Sequence, residues 1–115
     1  MITPVTAPTD WVSQLVTVHK SDNSVRLCLD PRPLNTVLKR ERFHLPTFDE
    51  VIPELANAKI FSKVDLRAGY WHVQLDEQSS NLTCFQSPYG RFKWNRLPFG
   101  LSVSSEIFCR KLWTV

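Results

Sequence analysis

Asp65 stands at the end of a short apolar run, Ile60-Phe61-Ser62-Lys63-Val64, and Leu66-Arg67-Ala68-Gly69-Tyr70 follow it. A strand that delivers one carboxylate at its end is a rigid mount for a ligand of a hard divalent cation. The same Asp can instead cap the turn after it, and residue type alone favours that local role. Upstream, Lys20 and Arg26 flank a polar turn, Ser21-Asp22-Asn23-Ser24. A guanidinium fork beside a compact ammonium on a hairpin tip suits a triphosphate. Two exposed surface cations are the plainer reading. Arg91 and Lys93 alternate with Phe92 and Trp94, so they share the polar face of a strand, open to a nucleic-acid backbone or to water. In Leu97-Pro98-Phe99-Gly100 the Pro and Gly permit a bend where backbone can approach a ligand closely.

Several elements must position these groups. Residues 1–10, with Pro4 and Pro8, read as an extended surface arm. Residues 11–18 and 25–29 are apolar and β-branched, and with the turn between them they form a hairpin. A short helix is expected over 33–38. Thr47-Phe48-Asp49-Glu50 is a capping-box sequence. Phe48, Val51, Ile52, Leu55 and Ala56 then share one helical face expected to be buried, with Pro53 kinking or truncating the helix. Residues 60–65 are expected as a strand, 66–69 as a single turn, and 71–75 as helix or strand. Residues 76–80 read as a polar turn. Residues 82–86 and 91–95 read as two strands joined by Ser87-Pro88-Tyr89-Gly90, a type I turn. A final helix begins within 102–105.

The chain has 115 residues, 43% of them hydrophobic, which suffices for one small domain with a core. No apolar run is long enough to span a bilayer, so no membrane partner is expected. Met1-Ile2-Thr3-Pro4 lacks the pattern of a signal peptide. Cys28, Cys84 and Cys109 are scattered and odd in number, which argues for reduced, mostly buried thiols in an intracellular protein, the cytoplasm ahead of the nucleus. The histidines show no metal-ligand spacing. The net charge of +3 is unevenly spread. Residues 1–58 carry six cationic against seven acidic side chains, and residues 59–115 carry eight against four. The basic second half suits an anionic partner such as nucleic acid, or an ordinary solvated surface.

Three stretches together carry a resemblance. Asp65-Leu66-Arg67-Ala68-Gly69-Tyr70-Trp71 resembles the first catalytic motif of reverse transcriptases, in the form found in Gypsy-type long-terminal-repeat retrotransposons. Arg96-Leu97-Pro98-Phe99-Gly100-Leu101 resembles the next motif, and Arg26-Leu27-Cys28-Leu29-Asp30-Pro31-Arg32-Pro33-Leu34-Asn35 the fingers signature. The resemblance implies an α+β fold: part of a right-hand polymerase, with antiparallel strands and helices packed on one side. Residues 1–58 would be fingers-like. Residues 59–115 would begin the palm, with a fingers-like hairpin near 82–96.

It also implies an RNA-directed DNA polymerase, a nucleotidyltransferase working with Mg2+ or Mn2+ on an RNA or DNA template–primer and dNTPs. Asp65 matches the first metal-binding carboxylate, and the Leu66 carbonyl matches a second ligand. Lys20, Arg26, Arg67, Ala68, Gly69 and Phe99 would line the nucleotide. Tyr70 matches the aromatic that excludes a ribose 2′ hydroxyl; its plainer reading is a core aromatic beside Trp71. Pro98, Gly100, Arg91 and Lys93 would meet nucleic acid.

Two departures stand out. The Tyr-x-Asp-Asp hairpin that supplies further carboxylates is absent, so the chain is expected to be inactive alone and to work with the remainder of a pol polyprotein. Glu106 stands where the family carries a small residue near the template or primer path. The alternatives are a non-enzymatic remnant, a repurposed interaction domain, or a small nucleic-acid-binding module without chemistry.

Overall fold

The computed structural model describes residues 1–40 and 42–113. Five strands form one sheet in the order β1-β5-β4-β2-β3, where β1 is Ile2–Val5, β2 Ser13–His19, β3 Val25–Asp30, β4 Phe85–Ser87 and β5 Gly90–Trp94. Neighbours run antiparallel except β2 and β4, which pair in parallel through Ser13 with Phe85 and Gln14 with Gln86. The sheet therefore draws strands from both sides of position 58. Among the described residues four helices accompany it: α1 (Arg32–Asn35), α2 (Phe48–Leu55), α3 (Glu77–Leu82) and α4 (Ser104–Trp113). A 3-10 turn spans Gly69–His72.

The core lies on one sheet face, where Leu29, Phe85 and Trp94 are buried and Leu15, Trp71, Leu75, Phe92 and Leu101 pack around them. Alternation along β5 puts Phe92 and Trp94 there, with ring centroids 6.0 Å and 5.9 Å from Phe85. Trp71 stacks on Trp94 at 6.2 Å, which ties the 3-10 turn to the sheet. The α3 end is sealed by hydroxyls: the Trp94 N–H donates to Thr83 Oγ1 at 3.0 Å, and Thr83 Oγ1 donates to the Ser80 carbonyl at 2.6 Å.

The hairpin, the strand pair around the 87–90 turn and the last helix form as the sequence predicts, while the short helix is Arg32–Asn35 rather than 33–38 and the first strand of the pair begins at Phe85, because Leu82 ends α3. In α2, Glu50 reaches back to accept from the Thr47 N–H at 3.0 Å, completing the expected cap. Pro53 lies inside this helix, which stops two residues later.

Other expectations are corrected. The N-terminal arm is an edge strand, β1, whose Pro4 pairs with Phe92. An edge tolerates a missing ladder donor, so proline did not exclude it. Residues 76–80 are not a loose turn: Asp76 is an N-cap, its Oδ1 accepting from the Ser79 N–H at 2.7 Å, and α3 follows. Residues 71–75 take both of the forms left open: the 3-10 turn of Gly69–His72 ends among them and extended chain follows. There Leu75 N–H donates to Asn95 O at 2.9 Å and Leu97 N–H to Val73 O at 2.9 Å.

Residues 60–65 form no strand. A strand needs a partner for its backbone groups, and none of β1–β5 pairs with this segment. Ile60 and Val64 are 89% and 83% exposed. The α2 face expected to be buried is likewise open, with Phe48 78% exposed. The radius of gyration is 16.9 Å, against about 13 Å for a close-packed domain of this length.

Candidate functional site

The β2–β3 hairpin and residues 65–69 face each other across a cleft of about 580 Å3. Its walls bring together Lys20, Arg26, Asp65 and Arg67, with Leu66, Ala68, Gly69 and Phe99 beside them. Side chains 45 positions apart in the sequence, Lys20 and Asp65, thus line one cleft. Three cationic side chains surround one opening, an arrangement that attracts a polyanion.

The hairpin tip is built locally. Asn23 takes a left-handed conformation (φ 66°), Lys20 N–H donates to Ser24 O at 2.9 Å, and Asn23 N–H to Lys20 O at 3.1 Å. Asp22 accepts from the Ser24 N–H at 3.0 Å and from the Ser24 hydroxyl. These bonds, helped by the charge of Lys20, hold the Asp22 carboxyl below its ordinary range. Asp22 and Ser24 also line the cleft. Sequence reasoning saw them only as turn formers, because composition does not say which way a turn faces.

The loop after β5 supplies the floor. Leu29 N–H donates to Phe99 O at 2.7 Å, so this loop is stitched to β3. Gly100 makes the approach possible: φ is +114°, and a Cβ there would lie 1.9 Å from Leu29 O. Asn35 clamps the other side, its amide donating to Gly100 O at 3.2 Å and accepting from Ser102 N–H at 2.9 Å. Above the floor, the Arg26 guanidinium carbon sits 4.7 Å from the Phe99 ring centre.

Asp65 is exposed, and among the described residues its carboxylate engages no hydrogen bond or ion pair. The capping role is therefore not what the structure shows. A free carboxylate next in sequence to Leu66 is a hard oxygen donor of the kind a divalent cation takes, and both residues line the cleft. Among the described residues no group of three His, Cys, Asp or Glu side chains converges on a metal position.

Tyr70 lies outside the wall of the large cleft. It borders a smaller one of about 340 Å3 that shares Asp65, Leu66, Gly69 and Phe99. Its ring lies 4.7 Å from Phe99 and 5.4 Å from Phe108, and its hydroxyl is 2.7 Å from Ser105 Oγ. Ala68, just before, is left-handed (φ 48°). A Cβ on Gly69 would come 2.9 Å from the tip of the Phe108 ring, so a larger residue there would have to displace that ring.

The residues expected to meet nucleic acid are placed differently. Pro98 is fully buried and its carbonyl accepts from Ser104 Oγ at 2.9 Å, so it presents no surface. Gly100 is exposed. Arg91 donates to Ala7 O at 2.8 Å and Thr9 Oγ1 at 3.2 Å, fastening the N-terminal arm. Lys93 donates to Asn81 Oδ1 at 3.0 Å. Neither lines the large cleft. Glu106 is buried and paired: it accepts from Arg40 Nε at 2.9 Å and from Arg42 N–H at 2.9 Å. The Arg40 bond holds its carboxyl below the ordinary range against the opposing effect of burial.

Residues 18–114 match the family described as reverse transcriptase (RNA-dependent DNA polymerase). The retrovirus-related Pol polyprotein from transposon 412 of Drosophila melanogaster is 38% identical over 87 residues, 76% of this chain and 7% of that protein. An RNA-directed DNA polymerase homolog of Oenothera berteroana is 36% identical over 86 residues, 75% of this chain and 61% of that one. The enzymatic polyprotein of cauliflower mosaic virus (strain Strasbourg) is 34% identical over 94 residues, 82% of this chain and 14% of that protein. The chain thus spans a minor part of the polyproteins it resembles. A foamy viral protease–reverse transcriptase, solved in complex with double-stranded DNA, superimposes with a TM-score of 0.79 at 20% identity, covering 98% of this chain and 20% of that one. Its likeness shows that the mixed α+β fold is that of a reverse transcriptase. Sequence motifs, family match and fold agree: the chain belongs to the reverse transcriptase family.

Proposed function

We propose that this chain is the fingers and early palm of an RNA-directed DNA polymerase, of the Gypsy type, encoded within a retroelement pol polyprotein. Residues 1–58 form the fingers-like part and residues 59–115 begin the palm, with the 82–96 hairpin joined to the fingers sheet. The observation that carries this reading is the cleft itself. It places the unpaired Asp65 carboxylate opposite Lys20 and Arg26, with Arg67 on the same rim.

In this reading the cleft holds a deoxynucleoside triphosphate. Lys20, Arg26 and Arg67 balance its charge, Arg26 through paired N–H donors. Phe99 keeps the guanidinium over the floor. Mg2+ or Mn2+, held at Asp65 and the Leu66 carbonyl, would supply charge neutralisation at the phosphates being rearranged. Tyr70 contacts the sugar from the smaller cleft. Gly100, Arg91 and Lys93 are assigned to the template–primer side, the latter two through the parts of their side chains left exposed.

A chimera tests this. Residues 1–113 replace the matching segment of the transposon 412 polymerase, and dNTP incorporation on an RNA template is measured. Template-dependent synthesis that disappears with Asp65→Asn supports the reading. A folded chimera that is inactive with Asp65 present, or active with Asn in its place, overturns it.

A further inference from the structure

Tyr70 is held on three sides. Phe99 lies 4.7 Å away on one side and Phe108 packs edge-on at 5.4 Å. The third contact is polar: Ser105 Oγ, in the first turn of α4, lies 2.7 Å from the Tyr70 hydroxyl. The two aromatic contacts fix the plane of the ring but leave it free to slide in that plane. A hydrogen bond at the far end of the side chain removes this freedom, because its length and direction are both constrained. The helix that carries Ser105 is itself anchored. Ser104 bonds to the Pro98 carbonyl at 2.9 Å, and buried Glu106 is paired with Arg40. Ser105 therefore stands between two fixed neighbours in the sequence, on a rigid mount.

We infer that Ser105 is a positioning residue for sugar selection. Its hydroxyl sets where the Tyr70 ring edge stands, and so how closely a 2′ hydroxyl may approach. The inference rests on the nucleotide-binding reading above, and it adds a determinant on α4 that lies outside the Asp65–Tyr70 motif. A gate that depends on contact distance needs its ring held to a fraction of an ångström. Without the hydroxyl anchor the ring can yield to a ribose, and discrimination falls while binding of the deoxy substrate persists.

The test uses the 115-residue chain labelled with 3-fluorotyrosine. The chain has two tyrosines, Tyr70 and Tyr89, and Tyr89 is 90% exposed, so it serves as an internal reference in the 19F spectrum. Mg2+ with dATP, and separately with ATP, is titrated into wild type, Ser105→Ala and Ser105→Thr. Melting curves are recorded for each. The expected result is a Tyr70 resonance that shifts on binding and a preference for dATP in wild type. Ser105→Ala should reduce that preference by about two- to tenfold, the range for losing one hydrogen bond. Its melting temperature should stay near that of wild type, and Thr should restore the preference. An unchanged dATP-to-ATP ratio in Ser105→Ala, with wild type showing a preference, overturns the role of Ser105 and leaves the nucleotide reading standing. A wild-type chain that binds neither nucleotide overturns both.

Discussion

The Arg26 guanidinium carbon lies 4.7 Å from the centre of the Phe99 ring, which joins the hairpin tip to the loop 73 residues later in the chain. The contact matters because Arg26 and Phe99 sit on separate elements that the Leu29 N–H to Phe99 O bond draws together. Arg26→Ala should reduce affinity for a Mg2+-bound deoxynucleoside triphosphate about ten- to a hundredfold, the range for a charge-assisted bond. Phe99→Leu should cost less, about two- to fivefold, since a cation–π contact at an exposed site is worth about 0.5–1 kcal/mol. Calorimetric titration checks both. Equal losses would mean that Phe99 does more than orient the guanidinium.

Glu106 gives a pH prediction. Its carboxyl lies below its ordinary value of 4.5, chiefly through the Arg40 bond. A depressed native value means that the charged form contributes stability at pH values above the unfolded value, and that this contribution is lost as pH falls through the native one. The melting temperature of wild type should therefore exceed that of Glu106→Gln at neutral pH. The gap should close as pH falls below 4.5. A gap constant with pH would show that Gln fails for reasons of packing.

Two glycines separate strain from collision. Gly90 and Gly100 both have positive φ, 112° and 114°, but a Cβ on Gly90 meets nothing within 4 Å while one on Gly100 meets Leu29 O at 1.9 Å. Gly90→Ala should cost only the backbone term, about 1–3 kcal/mol. Gly100→Ala should cost that and the Leu29–Phe99 bond as well, lowering the melting temperature by at least about 5 °C more than Gly90→Ala. Matching losses would mean that the 97–101 loop can move away from β3.

Much of this site was legible in the sequence because its signals are local. Apolar alternation gave the hairpin, a capping box gave the start of α2, and the Asp65 and Phe99 stretches gave one wall and the floor of the cleft. The misses came from pairing and direction. Residues 60–65 have strand residues but no neighbour among β1–β5. Pro4 argued against a strand, yet the chain placed it at a sheet edge, where its missing donor costs little. Residues 76–80 read as a turn because Asp and Ser favour turns and helix N-caps alike. The partners of Glu106, Arg91 and Ser105 lie 66, 84 and 35 residues away, and no sequence period announces contacts at such separations. Glu106 therefore read as an anomaly until Arg40 stood beside it.

The chain by itself should not extend a primer. Two-metal chemistry needs more oxygen ligands than Asp65 and the Leu66 carbonyl provide. Incubation with an oligo(dT)-primed poly(rA) template, dTTP and Mg2+ should give no product above that of Asp65→Asn. Extension dependent on Asp65 would mean that these two donors suffice.

The central claim is that the Asp65 carboxylate is kept free for a cation that accompanies a nucleotide. Titration of dATP into the wild-type chain and Asp65→Asn, each with and without Mg2+, addresses it most directly. Because Asp65 makes no side-chain bond among the described residues, the two proteins should melt at the same temperature. Mg2+ should strengthen dATP binding to wild type and have no effect on the variant. Equal Mg2+ enhancement in both proteins, or a variant that melts well below wild type, would contradict the account and return Asp65 to a structural role.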